Sequence, residues 1–473
     1  MLLRELVVAA SGASAVNLAG EIDIVDVVHD TRDPMEGALF ACVRGATVDG
    51  HTLAERAVDA GAVALLVDHA LDIDVPQIVV DDTRRAMSTL ASACHGDPSS
   101  SLTVVGVTGT NGKTTSTHLL ANIMRAAGRP VEVIGTLSGA RTTPEAPDLQ
   151  RRLARIRDDG GDVVAMEVSS HAIDQHRVDD VHFRVAAFTN LTRDHLDWHG
   201  TMEAYFASKA RLFDADRADL AVIDVDGPYG RLLADTVTIP VATCSLDEID
   251  SIELGPDVSA CTWRGRRVHL PLGGRFNLSN AILAAHVASE LGVDDATIVE
   301  GLALPLVVPG RFEAVHAGQP FPIIVDYAHT PDGLEKVLAA ASELVAPSPG
   351  ARVLVVFGCG GDRDPSKRPQ MGQAAAAGAD VVVLTSDNSR SESTSDIMGA
   401  VLEGIDRLHP RRAALVVAEP DRRAAIGTAL AEARPGDIVV IAGKGHETTQ
   451  TIGERTTEFD DRVVAAEQWR SIA

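Results

Sequence analysis

From Leu102 onward the chain alternates short, continuously apolar runs with amphipathic stretches, and few folds accommodate that alternation. The runs Leu102–Val107, Val163–Val168, Val185–Phe188 and Leu220–Ile223 read as strands buried on both faces, as in a parallel sheet covered by helices. A turn at Pro309-Gly310-Arg311 interrupts the pattern, which resumes at Ile323–Val325, Val353–Phe357, Val381–Leu384, Ala414–Val417 and Ile438–Ile441. Upstream, Ala38–Ala41, Ala62–Val67 and Ile78–Val80 are separated by helical or turn-like residues, a small α/β unit closed by the linker-like stretch Gly96–Ser101. A chain of 473 residues exceeds one ordinary core. The expected fold is α/β in three domains: 1–98, 99–311 around a parallel sheet, and 312–473, Rossmann-like. Most of the strands run directly into polar residues, often with glycine. Ligands of open α/β sheets bind outside the carboxyl ends of strands, so the chemistry is expected in a cleft between the central and C-terminal domains.

Charge and cysteine usage narrow the setting. A net charge of −25 repels phosphate backbones, which argues against nonspecific nucleic-acid binding and requires local donors for any anionic ligand. No apolar run reaches bilayer length, and the N-terminus lacks a secretory pattern. Five scattered cysteines with no Cys-x-x-Cys pair favour a reducing cytoplasm over a disulfide framework or structural zinc. Only five of the 42 basic residues are lysine: Lys113, Lys209, Lys336, Lys367 and Lys444. Such a bias spares lysine chiefly where arginine's planar fork cannot replace a slim or acylable amine. Lys336 reads as a solvated helix residue.

The strongest local motif is Gly109-Thr110-Asn111-Gly112-Lys113-Thr114-Thr115, between a buried strand and a helix carrying Leu119, Leu120, Ile123 and Met124. Its glycines let backbone N–H groups close on phosphate oxygens at a helix N-terminus. Lys113 is expected to reach the β/γ-phosphates and Thr114 to join a Mg²⁺ shell. Val107 stands where a general P-loop has its first glycine, which weakens a generic kinase or GTPase reading. Glu167, leaving the next strand, is placed to hold Mg²⁺, although alone such a residue is more often a solvated strand end. His195, in Thr189–His195, is a second candidate ligand; a lone histidine there is more often a hydrogen-bonded loop residue, and the combination with Lys113, Thr114 and Glu167 favours the ligand.

Lys209 shares its helix face with Met202, Tyr205, Phe206, Leu212 and Phe213. A buried ammonium must be paired or chemically removed; the bland alternative is a side chain snorkelling to water. Towards the C-terminus, Asp326–Pro331, Gly358–Asp364, Asp387–Arg390 and Gly443–Glu447 each follow a strand of one sheet and offer guanidinium and carboxylate groups together, as recognition of a zwitterionic amino acid requires. Arg363 occupies the last position of a would-be Gly-x-Gly-x-x-Gly, which disfavours a nicotinamide dehydrogenase.

In order and spacing, these motifs, with Glu167–His171, Gly274–Asn280, Pro309–Glu313 and Asp326–Pro331, resemble the Mur ligase family over essentially the full chain. The resemblance implies a cytoplasmic, ATP- and Mg²⁺-dependent enzyme that phosphorylates a carboxylate and lets an amine attack the acyl phosphate, with no nucleic-acid or membrane partner and a monomeric state. The pattern is most similar to members that extend UDP-N-acetylmuramoyl-L-alanyl-D-glutamate in peptidoglycan precursor synthesis. It implies that Lys113, Lys209 and His195 are catalytic and that Thr114, Glu167, His195 and Lys209, the last as a carbamate, serve the metal. Gly109–Thr115, Asn280, Arg311 and Asp326 would bind ATP. The UDP-muramoyl dipeptide would meet His29, Thr31, Ala46, Thr47, Val48, Thr142, Thr143, Ser169, Gln175 and Arg177. Thr31 stands where relatives usually carry serine.

The incoming amino acid would meet Arg363, Asp387, Asn388, Ser389, Arg390, Gly443 and Glu447. Diaminopimelate-adding members usually show Asp-Asn-Pro-Arg, so Ser389 replaces proline and removes a backbone constraint from the loop. Arg390 remains, and a guanidinium suits diaminopimelate's distal carboxylate and repels lysine's ammonium. The competing readings are the same step with L-lysine, folylpolyglutamate synthesis, a small-molecule P-loop kinase and a non-catalytic nucleotide-binding regulator.

Overall fold

The computed structural model describes residues 1–472 apart from 11, 19 and 46. Three sheet-bearing units follow one another. The first holds β1 (Ser14–Val16), β2 (Asp26–Val28), β3 (Ala38–Ala41), β4 (Ala64–Val67) and β5 (Gln77–Val79), in the order β1-β5-β4-β3-β2, parallel except for β1. The second holds β6 (Thr103–Thr108), β7 (Val131–Ile134), β8 (Val163–Glu167), β9 (Val185–Phe188), β10 (Ala221–Asp224) and β11 (Val241–Cys244), all parallel, in the order β11-β10-β9-β6-β8-β7. An antiparallel meander follows: β12 (Ile249–Leu254), β13 (Ser259–Trp263) and β14 (Arg266–Leu270).

The third unit holds β15 (Glu313–Ala314), β16 (Ile323–Asp326), β17 (Val353–Phe357), β18 (Val381–Leu384), β19 (Leu415–Ala418) and β20 (Ile438–Ala442), in the order β15-β16-β20-β17-β18-β19, parallel except for β15. A hairpin of β21 (Thr449–Ile452) and β22 (Arg455–Glu458) follows.

The apolar runs do what their composition requires. Along β17, Val353, Val355 and Phe357 enter one core cluster, and Leu354 and Val356 enter the one on the opposite face. The same split occurs in β3, with Leu39 and Ala41 on one face and Ala38 and Phe40 on the other. Burial on both faces explains why polar residues collect at the strand ends, where the chemistry sits.

The units are tied by polar contacts. Asp26 of the first meets His95 Nε2 at 3.0 Å and Arg151 Nε of the second at 2.7 Å. Asn111 Nδ2 donates to Asp332 Oδ2 of the third at 3.2 Å. The stretch read as a linker, Gly96–Ser101, is not a loose one: Pro98–Ser101 form a 3-10 turn, Pro98 and Ser99 are buried, and Ser99 Oγ accepts from the His182 N–H at 3.2 Å.

Candidate active site

β6 lies between β9 and β8, where the strand order of the central sheet reverses, and its carboxyl end opens into the crevice such a reversal creates. The loop that follows needs its glycines. Gly112 has φ +90°, and a Cβ there would lie 2.3 Å from Asn280 Oδ1; at Gly109, φ +147°, it would meet Thr189 Oγ1. The helix Lys113–Ala126 begins at Gly112 with no side-chain cap, so its first N–H groups are left for an anion, while Leu119, Leu120, Ile123 and Met124 bury its other face. Lys113 Nζ donates to the carbonyl oxygens of Gly109 (2.8 Å) and Thr110 (2.9 Å), so the ammonium lies over the loop it would serve, and burial lowers its pKa.

Glu167, at the end of β8, is buried and fully engaged. Its Oε2 accepts from the hydroxyls of Thr114 (2.9 Å) and Thr136 (3.2 Å), and its Oε1 accepts from the Thr136 N–H (2.8 Å). His195 sits at φ +54° before a short helix, its ring 4.7 Å from that of His171. Enclosure pulls its pKa down to about 3, against the attraction of Asp194, so the ring is neutral and keeps a lone pair. The hydroxyl and carboxylate oxygens of Thr114 and Glu167 suit a hard cation such as Mg²⁺. Two such oxygens would leave most of the ion's coordination to waters and phosphate oxygens, as Mg²⁺ commonly keeps them.

The structure places Lys209 at 1 % exposure, on the apolar face its spacing specified rather than snorkelling. Its Nζ donates to Gly109 O at 3.0 Å and more weakly to Thr108 Oγ1 at 3.4 Å, and lies 4.9 Å from the Tyr205 ring centroid. Burial, reinforced by the Lys113 charge, drives its pKa well below the usual lysine value. It supports the phosphate loop from behind and does not line the cleft.

That cleft, of about 310 Å³, is shared by two units: Thr110–Thr115, Thr142, Glu167, Ser169 and His195 face Arg363, Asp387, Asn388, Arg390, Gly443 and Glu447, with Arg311 at the junction. Arg390 has φ +50°, and its Nη1 donates to Gly361 O at 2.6 Å. Asn388 Nδ2 donates to Glu447 Oε2 at 2.7 Å, which joins two of the loops. Arg363 is exposed at the rim. Ser389 does not line the cleft: it is buried, and its hydroxyl accepts from Thr394 Oγ1 at 3.0 Å.

Sequence reasoning missed the support beneath these loops. Arg422 and Asp461 form a completely buried ion pair (2.7 Å), and Arg422 also donates to the carbonyls of Ser386 (3.2 Å) and Ala442 (3.0 Å). Those carbonyls immediately precede Asp387 and Gly443. Lys367, also missed as a cleft residue, donates to His329 O at 3.0 Å and lines the cleft.

A second cavity, of about 450 Å³, begins at Asn111, Gly112 and Thr115 and runs between Asn280, Arg311 and Asp326 towards Tyr229, Phe276 and Val337. Arg311 stacks 4.3 Å over the Tyr327 ring. Both Asp326 oxygens accept backbone N–H groups, from Phe312 (2.7 Å) and Ala328 (2.8 Å). Lys336, read as merely solvated, pairs with Asp332 at 3.0 Å and lines this cavity.

The remaining expected residues lie beside or beyond the two cavities. Thr143 is buried; its hydroxyl donates to Glu167 O (2.9 Å) and accepts from the Ser169 N–H (3.1 Å). Arg177 donates to Thr143 O (3.0 Å) and Gln175 Oε1 (2.6 Å) and pairs with Glu145 (2.9 Å). Thr143, Gln175 and Arg177 therefore back the cleft rather than line it. His29 and Thr31 follow β2, and Thr47 and Val48 follow β3, at the carboxyl edge of the first sheet; Ala46 lies outside the described residues.

A phosphate loop facing an amino-acid-like constellation across one cleft defines an ATP-dependent amide-bond-forming ligase. Family models agree along the chain: the Mur ligase family catalytic domain matches residues 24–95, the Mur ligase middle domain 107–288 and the Mur ligase glutamate ligase domain 310–445. The chain belongs to the Mur ligase family. It is 44% identical to the UDP-N-acetylmuramoyl-L-alanyl-D-glutamate--2,6-diaminopimelate ligase of Geobacillus thermodenitrificans, covering 95% of this chain and 96% of that one. The Streptomyces coelicolor protein of the same name is 41% identical, over 95% and 93%. A solved structure of such a ligase superposes with TM-score 0.65 at 33% identity, over 95% of each chain. MurF from Acinetobacter baumannii shares the fold, with TM-score 0.68 at 21% identity over 93% and 94%.

Proposed function

We infer that this enzyme joins meso-2,6-diaminopimelate to UDP-N-acetylmuramoyl-L-alanyl-D-glutamate at the expense of ATP, in peptidoglycan precursor synthesis. The observation that carries the reading is the shared cleft, in which Lys113 and Thr114 face Arg390, Asp387 and Glu447. A carboxylate is a poor electrophile. Its oxygen attacks the γ-phosphorus, ADP leaves, and the resulting acyl phosphate offers phosphate as a good leaving group. The amine nitrogen of the amino acid then attacks the acyl carbon, inorganic phosphate departs and the amine loses a proton. Backbone N–H groups at the start of the Lys113 helix and the Lys113 ammonium stabilise the charge on the transferred group. Mg²⁺, held through Thr114 and Glu167 with His195 beside them, supplies further neutralisation of phosphate oxygens.

Lys209 is the carbamylated residue of this reading. Its lowered pKa favours the neutral amine, whose nitrogen lone pair attacks the carbon of carbon dioxide; the nitrogen loses a proton, and the product carbamate is an anion directed at the phosphate loop. The adenosine occupies the cavity bounded by Asn280, Arg311 and Asp326. The nucleotide-peptide extends from His29, Thr31 and Thr47–Val48 past Thr142, Thr143, Ser169, Gln175 and Arg177 to the phosphate loop. Arg363, Asp387, Asn388, Arg390, Gly443 and Glu447 hold the amino acid, and Ser389 supports them from within. Domain boundaries fall at 98/99 and 311/312, and the enzyme works as a cytoplasmic monomer. The test is phosphate release, expected only with MgATP, the UDP-muramoyl dipeptide and diaminopimelate together. Release at full rate without the amino acid, or without the nucleotide-peptide, contradicts the reading.

A further inference from the structure

We propose that Glu145 is a positioning residue for the nucleotide-peptide: its carboxylate ties Arg84 of the first unit to Arg141 and Arg177 of the second, and so fixes how far the uridine end of the site stands from the phosphate loop. This role rests on the path proposed above for that substrate, from His29 and Thr31 to the loop. Glu145 lines neither of the two cavities, so it acts through the residues it holds.

Glu145 stands at the N-cap position of the helix Ala146–Asp158, yet its side chain caps no N–H of that helix. The carboxylate turns to guanidinium groups instead. Oε1 accepts from Arg141 Nη1 at 2.6 Å and pairs with Arg177 Nη2 at 2.9 Å, and Oε2 accepts from Arg84 Nη1 at 3.2 Å. The Glu145 side chain is 7 % exposed and that of Arg177 9 %, so their contact is made largely out of water, where a charge-assisted hydrogen bond is strong. Burial, with the Arg141 and Arg84 charges, lowers the Arg177 pKa against the pull of Glu145. Without that carboxylate the buried guanidinium is left among like charges.

The contacts extend in both directions. Towards the phosphate loop, Arg177 Nη1 donates to Thr143 O at 3.0 Å, and the Thr143 hydroxyl donates to Glu167 O at 2.9 Å. Towards the first unit, Arg84 lies in the first turn of the helix Thr83–Cys94, which follows β5. Strands β2 to β5 are parallel, so Arg84 shares a sheet edge with His29, Thr31, Thr47 and Val48. The contacts Glu167–Thr143–Arg177–Glu145–Arg84 therefore connect the end of β8 to the edge proposed for uridine. Other contacts keep the two units together: Asp26 with Arg151 Nε (2.7 Å), and Arg157 Nη1 with His95 O (3.0 Å). Loss of the Glu145 carboxylate should shift the two ends of the site without separating the units.

The experiment measures phosphate release by full-length wild type, Glu145→Gln, Arg84→Gln and the double variant, with each of the three substrates varied in turn. Each single variant is expected to raise the KM for the nucleotide-peptide about tenfold, the scale of one lost charge-assisted hydrogen bond, with the KM for ATP and for the amino acid within about twofold of wild type. The double variant should be no worse than Glu145→Gln, because the tie to Arg84 is already lost. Arg84→Gln changes a side chain that is 26 % exposed, so it should melt within a few degrees of wild type and carries the test should Glu145→Gln fold poorly. An unchanged KM for the nucleotide-peptide in Arg84→Gln, or an equal rise for all three substrates, overturns the proposal. Wild-type release that does not require the nucleotide-peptide removes the substrate path itself, and the role of Glu145 with it.

Discussion

The side-chain nitrogen of Lys209 ends 3.0 Å from the carbonyl oxygen of Gly109, so the apolar helix face that carries this lysine delivers it to the underside of the phosphate loop. Lys113 Nζ donates to the same carbonyl, at 2.8 Å. The Lys113 charge, added to burial, disfavours an ammonium at Lys209, and a carbamate there would turn that repulsion into attraction.

Lys209→Arg retains the positive charge and cannot form a carbamate. It is expected to melt within a few degrees of wild type and to lose about two orders of magnitude or more in turnover, the scale on which a single preorganised electrostatic contact acts. Lys209→Ala should recover part of its activity in the presence of a small carboxylate. Full activity of Lys209→Arg refutes the carbamate.

Lys113→Ala should abolish phosphate release, by roughly 10²–10³-fold or more, because water cannot recreate a point charge held over the loop. Glu167→Ala also frees the hydroxyls of Thr114 and Thr136 and should raise the Mg²⁺ concentration needed for half-maximal rate. A Mg²⁺ titration of phosphate release at saturating ATP checks both. Near-normal turnover of Lys113→Ala removes the phosphate-loop assignment.

The Arg422–Asp461 pair predicts a stability effect. Either single alanine substitution leaves an uncompensated charge in a fully buried place and should cost about 3–5 kcal/mol. Arg422 also holds the carbonyls before Asp387 and Gly443, so Arg422→Met should raise the KM for the amino acid more than that for ATP. Denaturant midpoints with KM values for both substrates test this. Equal rises in the two KM values would assign the pair to stability alone.

The legible parts of the molecule are those in which one physical demand governs a whole segment. Val353–Phe357 had to be a strand because every residue is apolar, and it is buried on both faces. Lys209 was legible because its spacing set a charge among apolar neighbours. The meander was not assigned: Ile249–Leu254 breaks apolar/polar alternation at Asp250-Ser251, is exposed at half of its positions and shifts register between Asp250 and Glu253. The hairpin strand Arg455–Glu458 is exposed throughout and carries no apolar signal. Arg422 and Asp461 stand 39 residues apart, and nothing local marks either as buried. Ser389 was visible as a departure, but its effect depends on Thr394, which only the fold brings to its hydroxyl.

The central claim is that the cleft joins diaminopimelate, and Arg390 is the residue on which the choice rests. A charge-assisted contact from Arg390 to the distal carboxylate would contribute about 2–3 kcal/mol, a discrimination of some tens- to hundredfold. The most direct measurement is paired steady-state kinetics with meso-diaminopimelate and L-lysine on wild type and Arg390→Ala, at saturating MgATP and UDP-muramoyl dipeptide. Wild type should use diaminopimelate with a kcat/KM at least tens-fold above that for lysine, and Arg390→Ala should lose most of that preference while its KM for ATP stays near wild type. Equal or better use of L-lysine by wild type would contradict the account.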